Sequence, residues 1–521
     1  MTFAVVTDGT DSDRRQLADT ARSLLRAAGV SHWVVVGAPV GVVPAVLRAI
    51  LRLRGITCIG LPDDARTTNA LADADWVCFL PAGERLGASA PRSIGAVAGA
   101  DVVYGDTRHR IRHADRLPTF QRRPGWSPER LRHHNYIGPM IVARAGVARA
   151  AGARTDLARC DAHDRNLRIT ERASRIERIA EVVHETRAAS LAPPAARDAV
   201  VSHLARTGID AVVEFDEASP AVRIRRRCAS QPLVSVLVPT RGSTATIFGR
   251  PRTLVVEAVR SLINVSTYAN LEFVIVADSD TPESVHDELR SVGGNRLRIV
   301  DFNRPFNFAE KINLGAAHAT GELFLLLNDD TEVISPDFLE TLVALQSEED
   351  VGLVGPTLLF EDATIQSAGH VFSPEPTDLY RGAPADARGA HDMLRVTRET
   401  SSIIAACALT SRATFESVGG LSVQFPGNWN DIDYCLKVWQ SGRRVLVTPH
   451  ARMHHFESKT RVPVLVESEV ATLGHRWGHV LDDDPFFNPH LQRYVNVWKT
   501  DSTSPRSYAE ALGPTAPIAS K

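Results

Sequence analysis

Leu323-Phe-Leu-Leu-Leu-Asn-Asp-Asp-Thr-Glu-Val333 decides the fold. Five apolar residues run unbroken into Asn328-Asp329-Asp330. A short continuous apolar run reads as a strand buried on both faces, the kind found in parallel sheets. Two adjacent carboxylates at its end are costly if buried alone. They suit a hard divalent cation that keeps open positions for phosphate oxygens. The plain alternative is an acidic, solvated turn. Gly321 before the run and Ser335-Pro336 after it mark its ends.

The flanking sequence repeats the pattern. Leu233-Val-Ser-Val-Leu-Val238 predicts a buried strand ending at Pro239-Thr-Arg-Gly242. Phe273-Val-Ile-Val-Ala277 predicts a second, ending at Asp278-Ser-Asp280, and Leu297-Arg-Ile-Val300 a third. Helices are expected over 253–263, 283–291 and 309–319. Strand–helix alternation argues for a parallel sheet. Loops at the carboxyl ends of parallel strands are where such sheets bind ligands. Alone, Pro-Thr-Arg-Gly is an ordinary turn, and Asp278 is equally a turn or cap residue. Together with Asn328-Asp-Asp330 they place three polar clusters on one edge.

Downstream, Ser402-Ile-Ile-Ala-Ala-Cys-Ala-Leu409 reads as buried. In Asn428-Trp-Asn-Asp-Ile-Asp-Tyr-Cys-Leu-Lys-Val-Trp439, Ile432, Cys435, Leu436 and Trp439 recur at helical spacing and predict a buried stripe. Asp431 and Asp433 open that helix, where the dipole favours negative charge. Capping alone accounts for one of them. Val445-Leu-Val447 predicts a strand, followed by His454-His455-Phe-Glu457. A lone histidine usually reads as structural. Two beside a glutamate, downstream of an acidic turn, are candidate metal ligands.

Residues 1–85 show the same alternation, and a further short strand follows. Phe3-Ala-Val-Val6, His32-Trp-Val-Val-Val36, Trp76-Val-Cys-Phe-Leu80 and Asp101-Val-Val-Tyr104 predict strands, with helices over 17–28 and 43–53. Trp126-Ser-Pro-Glu-Arg-Leu131 opens a helix with Ser127 as cap and Pro128 in its first turn. Residues 185–232 are rich in alanine, arginine and proline, and Ala192-Pro-Pro-Ala195 breaks structure. A helix over 199–207 capped by Asp198 and a basic strand or linker over 221–227 fit inside. The domain boundary is expected here.

Composition narrows the class. A chain of 521 residues, 44% hydrophobic and 23% charged, has room for two or three ordinary cores. A net charge of -2 gives no support to nucleic-acid binding by bulk charge. Six scattered cysteines without a Cys-x-x-Cys pair fit a reducing cytosol. Asp8, Asp11 and Asp13 interrupt any signal peptide. No stretch reaches the ~18 apolar residues needed to span a bilayer. A cytoplasmic location is expected, with membrane contact no more than peripheral, at the inner face.

Val234-Ser-Val-Leu-Val-Pro-Thr240, Leu325-Leu-Leu-Asn-Asp-Asp330, Asn430-Asp-Ile-Asp-Tyr-Cys-Leu436 and His455-Phe-Glu-Ser458 resemble, in order and spacing, the inverting family 2 glycosyltransferases. Arg476-Trp-Gly478 and Asp484-Pro-Phe-Phe-Asn-Pro-His490 resemble the tail of the rhamnosyltransferase and O-antigen branch. The resemblance implies an α/β fold of the GT-A, Rossmann-like nucleotide-binding type over 233–492. A degenerate, non-catalytic copy is expected over 1–190, a linker over 191–232, and a partly disordered tail over 493–521. In that worn copy, Pro81-Ala-Gly-Glu84 replaces the acidic turn, Asp161-Ala-His-Asp164 stands for Asn-Asp-Ile-Asp, and no metal histidine is expected.

The resemblance also implies roles. A sugar passes from a nucleoside-diphosphate donor, of UDP- or dTDP-sugar type, to a hydroxyl of a cell-envelope glycan or lipid-linked glycan. Pro239, Thr240, Arg241, Asp278, Lys311 and Asp329 would serve the nucleotide. Asp330 would bind Mn²⁺ or Mg²⁺ with His455, and His454 in reserve. Asp431 would be the general base, with Asp433 and Trp429 at the acceptor. Two rivals stand beside this. One is a nucleotidyltransferase gripping a triphosphate through Arg241, Arg250 and Arg252. The other is a scaffold that binds nucleotide sugar or glycan without turnover.

Overall fold

A computed structural model describes residues 2–61, 74–110, 119–152, 154–186, 196–215, 219, 221–228, 230–372, 375–457, 466–493 and 496–499. The chain divides into two compact units, Met1–Ile224 with Asn488–Leu491, and Arg225–Phe487 with Gln492–Lys521.

In the second unit every side chain of the strand Leu323–Leu327 is buried. It runs parallel to Val234–Thr240, which runs parallel to Leu271–Asp278, which runs parallel to Leu297–Phe302. Helices Leu254–Asn264, Glu283–Gly293 and Phe308–His318 alternate with these strands. One sheet face packs Val236, Val238, Leu325 and Leu327 with Val255 and Val259. The other packs Leu237, Phe324 and Leu326 with Ala309 and Ile312. Burial on both faces is why the strand is an unbroken apolar run rather than an alternating one.

The sheet is mixed, not wholly parallel as the alternation predicts. Leu323–Leu327 pairs antiparallel with Cys407–Ser411. The sheet continues through Val351–Leu359 and Arg444–His455 to Thr331–Val333. Cys407–Ser411 is reached from Val351–Leu359 through short strands and turns. The Asp431 helix spans Asn430–Gln440. Its expected stripe is buried at Ile432, Cys435 and Leu436, but Trp439 is 37% exposed; Val438 is buried instead.

The first unit has the same topology. Thr57–Leu61, Val30–Val36, Phe3–Asp8 and Trp76–Phe79 lie in that order, all parallel. Ile141–Arg144 follows antiparallel, then Val102–His109 antiparallel to it, then Ile176–Thr186 parallel to that, then Arg85–Leu86 antiparallel. The second unit shows the same directions at every corresponding step. The faint repeat in the sequence is a repeat of the fold.

The segment 191–232, expected as a linker, is folded over much of its described length. Helix Ala196–Thr207 includes Asp198 in its first turn rather than at its cap. Strands Ala211–Glu214 and Arg223–Arg226 pair. Val200, Leu204, Val213, Val222 and Ile224 form a small core there, which outweighs the alanine- and proline-rich composition. Asn488 groups with the first unit, donating to Asp106 Oδ1 at 2.9 Å and Arg123 O at 3.0 Å. Ala192-Pro-Pro-Ala195, Ser458 and residues 500–521 of the expected tail lie outside the described residues. Among the described residues no helix is long and apolar enough to cross a membrane.

Gly321 starts the decisive strand because nothing larger fits. A Cβ there would stand 2.5 Å from Leu233 O and 2.6 Å from Ser235 Oγ. Gly321→Ala is expected to destabilise the protein by about 1–3 kcal/mol through overpacking against backbone. Denaturant unfolding measures this, and an unchanged midpoint would contradict it.

Candidate active site

The carboxyl end of Val234–Thr240 carries the first cluster. Thr240 Oγ1 donates to Asp329 Oδ2 at 2.6 Å and accepts from Gly242 N at 2.9 Å. Lys311, only 1% exposed, donates to Thr240 O at 2.8 Å and pairs with Asp278 Oδ1 at 2.8 Å. A lysine so deeply buried must be paired. It therefore holds Asp278 in place and is not free to reach a phosphate itself. Asp278 keeps a partly exposed carboxylate. Pro239 is buried in the strand and offers no side-chain donor, whereas Arg241 is exposed, its Nε donating to Ser243 Oγ at 2.9 Å. Burial, with the adjacent Asp330 charge, pushes Asp329 up to about 6, against the pull of Thr240, Lys311 and Arg241.

The second cluster depends on strand register. Thr331 pairs with His455 and Glu332 with His454. Successive side chains of a strand point to opposite faces, so only one of the two histidines can face Asp330. It is His455, buried, with Nε2 3.2 Å from Asp330 Oδ1 and 3.2 Å from Asn328 Nδ2. His454 is not brought there. Its Nδ1 lies 2.9 Å from Phe360 O, and its ring stacks on Phe456 at 5.7 Å. The reserve role expected for His454 is corrected on that ground. Burial opposes charge on both His455 and Asp330. Their mutual attraction prevails, holding His455 above and Asp330 below its ordinary range.

Gln366 holds His455 from behind. Gln366 Nε2 donates to Glu457 Oε2 at 2.9 Å, so its Oε1, 2.8 Å from His455 Nδ1, accepts. With Nδ1 as donor, Nε2 faces Asp330, the arrangement that orients a ligating histidine. Among the described residues no three His, Cys, Asp or Glu side chains converge as a ready-made cage. A carboxylate and an imidazole suffice for a cation that shares its coordination with a diphosphate. Asn328 Oδ1, beside them, is buried without a hydrogen-bond partner. These residues fit Mn²⁺ or Mg²⁺.

The third cluster opens the helix Asn430–Gln440. Trp429 precedes it in the left-handed region, φ 63°. Buried Glu469 pins the loop before it, accepting from Gly427 N at 2.9 Å and Asn428 N at 3.1 Å. The Asp431 carboxylate accepts from the backbone N–H of Ile432, at 2.8 Å, and of Ala405. The next residue, Ala406, accepts at its carbonyl from Asn328 N at 3.0 Å. Adjacent residues thus hold the Asp431 helix and the acidic turn together. Burial raises Asp431 above its ordinary range, and the charge of His370 opposes this.

Asp433 and Trp429 do not behave as expected. Asp433 is fully buried, receiving Arg476 Nη1 at 2.6 Å and Trp477 Nε1 at 2.8 Å. Two residues along a helix turn about 200° around its axis, so Asp433 faces away from Asp431 and ties its helix to Glu467–Asp482. Trp429 packs against the cluster of Phe372, Phe425, Ile432 and Trp477. Asp433 is therefore not an open acceptor contact, whereas Trp429 is half-buried. The sequence reading passed over Gln366 and His370. Their signal was polar residues, with Ser367 between them, inside the buried stretch Ile365–Phe372.

In the first unit, Glu84 stands at the turn corresponding to Asn328-Asp-Asp330. It accepts from His184, which is buried, and from Thr186 Oγ1 at 2.8 Å. A histidine stands beside this turn, and its nitrogens are taken by Glu84 and Thr107. Asp161 caps the helix Ala162–Thr170, and Asp164 pairs with Arg168 at 3.6 Å and Arg206 at 3.7 Å. A cavity of about 330 Å³ lies at the ends of Phe3–Asp8 and Trp76–Phe79, lined by Asp8, Asp11, Pro81, Arg159 and Arg165. It lacks the carboxylate–histidine pairing seen at Asp330.

Residues 235–418 match the model of the family described as Glycosyl transferase family 2. The second unit carries a family 2 glycosyltransferase domain. It is 31% identical over 473 residues to the O-antigen biosynthesis protein RfbC of Myxococcus xanthus, covering 84% of this chain and 36% of that protein. It is 30% identical over 428 residues to the uncharacterized protein y4gI of Sinorhizobium fredii, covering 76% and 46%. The chain thus spans between a third and a half of the length of these relatives. Among solved structures it resembles GalNAc-T7 with UDP, GalNAc and Mn²⁺, at 16% identity and TM-score 0.38, covering 49% of this chain and 50% of that one. It also resembles the mannosyltransferase PcManGT of Pyrobaculum calidifontis, at 18% identity and TM-score 0.32, covering 49% and 63%.

Asp329 gives the site a pH signature. Its folded value of about 6 exceeds the ordinary 3.8. The stability it contributes is therefore full below the ordinary value and lost as pH rises through 6. Without metal, Asp329→Asn is expected to melt above the wild type near pH 7 and not above it near pH 4. Thermal melts at both pH values test this. Equal destabilisation at the two would contradict it.

Proposed function

We propose that the second unit transfers a sugar, with inversion at its anomeric carbon, from a nucleoside-diphosphate donor to a hydroxyl of a cell-envelope glycan or lipid-linked glycan. The observation that supports this is the junction at Ala405 and Ala406, adjacent residues of which one bonds the Asp431 carboxylate and the other the backbone of Asn328, two residues before Asp330. The description of the Myxococcus xanthus relative as an O-antigen biosynthesis protein supports the acceptor class. The donor is of UDP- or dTDP-sugar type.

Asp278, fixed by Lys311, meets the base or ribose, and Thr240 with Asp329 lines the adjoining pocket. Asp330 and His455 hold Mn²⁺ or Mg²⁺. When bound, the cation offsets charge growing on the departing diphosphate. Asp431 accepts the proton of the attacking hydroxyl. Burial raises its carboxyl towards neutrality, which strengthens a base as long as it stays ionised at the working pH. Leu323–Leu327 and Asn430–Gln440 supply rigid mounts for the two ends of the reaction.

The first unit is read as a non-catalytic binding or supporting module. The closed Glu84–His184 pair favours this. A nucleotidyltransferase leaves Asp431 and His455 without a task, and its expected Arg252 is bound to Glu332.

With a nucleotide sugar found by thermal-shift screening in Mn²⁺, Asp431→Asn is expected to lose about 10²–10⁴-fold in transfer while still binding nucleotide. A variant keeping more than about a tenth of the rate contradicts a base of that worth. Asp330→Ala is expected to bind UDP equally with and without Mn²⁺ in calorimetry. A metal effect like that of the wild type would count against the site.

A further inference from the structure

We propose that the helix Ala45–Leu53 docks the first unit onto an anionic lipid surface. Nothing in the transfer of a sugar by the second unit calls on this face of the molecule.

The helix is apolar on two sides. Its inner side packs into the core of the first unit, where Leu51 is fully buried and Leu47 lies against the same cluster. Its outer side carries Val46, Ala49, Ile50 and Leu53. Spaced at i, i+3, i+4 and i+7, these four form one stripe. All are exposed, Val46 by 71%, Ile50 by 38% and Leu53 by 86%. A single exposed aliphatic is ordinary. A helix that is apolar all round is normally covered.

Charge complementarity says what covers this one. Helix positions advance by about 100° per residue, so Arg52 and the C-cap residue Arg54 fall about a quarter-turn or slightly more to either side of the stripe. Both are exposed, and no ion pair joins either to a carboxylate among the described residues. From Thr20 to Leu61 the chain holds five arginines, Arg22, Arg26, Arg48, Arg52 and Arg54, and no aspartate or glutamate. An aliphatic stripe edged by arginine suits a helix lying in the plane of a membrane interface. The stripe enters the acyl boundary, and the guanidinium groups stay among the lipid phosphates. A second copy of the chain fits worse. A two-fold contact sets one face against itself, which brings arginine to arginine with no acid from the helix between them. A nucleic acid would leave four aliphatic side chains facing phosphate.

The test is co-sedimentation of the full chain with vesicles of phosphatidylglycerol and phosphatidylethanolamine, and with vesicles of phosphatidylcholine alone. The wild type is expected to pellet with the first and not the second, and to be released by salt. The double variant Arg52→Gln, Arg54→Gln is expected to partition about 25-fold more weakly, roughly fivefold per charge removed. The double variant Val46→Gln, Leu53→Gln is expected to lose about tenfold or more. Both pairs are exposed, so melting temperatures like that of the wild type are expected and separate lost docking from lost folding. A wild type that stays in solution with the anionic vesicles overturns the proposal. Equal binding to both kinds of vesicle, or binding that survives Val46→Gln, Leu53→Gln, overturns it as well. Sedimentation velocity covers the remaining occupant: a wild-type dimer that this variant dissolves, with no vesicle binding, would make the face a contact between copies and defeat the lipid assignment.

Discussion

Two carboxylates at the end of a fully buried strand cannot share one environment. Asp329 and Asp330 follow Leu327 directly, and the structure separates their fates. Asp329 turns to Thr240 and is pushed up to about 6, while Asp330 turns to His455 and is held below its ordinary range. In the proposed function that division separates a nucleotide side from a cation side. It depends on Val234–Thr240 lying next to Leu323–Leu327 on one edge and on Arg444–His455 reaching Thr331–Val333 on the other.

The repeated fold shows how much of this is scaffold and how much is chemistry. Both units lay their strands in one order with the same directions. In the first, the corresponding turn is Pro81-Ala-Gly-Glu84, and its one carboxylate is saturated by His184 and Thr186. A saturated carboxylate has little left to offer a ligand. In the second, Asn328 Oδ1 is still unpaired and Asp330 faces a histidine whose other nitrogen is already fixed. The same topology thus supports a closed ion pair in one place and an open one in the other.

Much of this was legible in the residues, and the exceptions have physical causes. The apolar run at Leu323 announced a strand buried on both faces, and the carboxyl-edge clusters announced where a ligand would sit. The choice between His454 and His455 was not legible, because it rests on the register with Thr331. Asp433 was misread although its spacing carried the answer: two helical positions from Asp431 point the other way. Lys311 was read as serving the nucleotide directly, yet its burial commits it to Asp278. Gln366 and His370 escaped notice because their partners, His455 and Ser402, lie far along the chain and meet them only in the folded unit. The folded helix and hairpin within 196–226 escaped because composition hid a small apolar core.

The central claim is that Asp330 and His455 share one cation with a bound diphosphate. Electron–nuclear double resonance on Mn²⁺ with UDP reads this directly. One histidine nitrogen coupling that vanishes in His455→Gln, together with phosphorus couplings from the nucleotide, is the predicted spectrum. Phosphorus couplings with no histidine nitrogen, or a nitrogen that survives His455→Gln, would contradict the account.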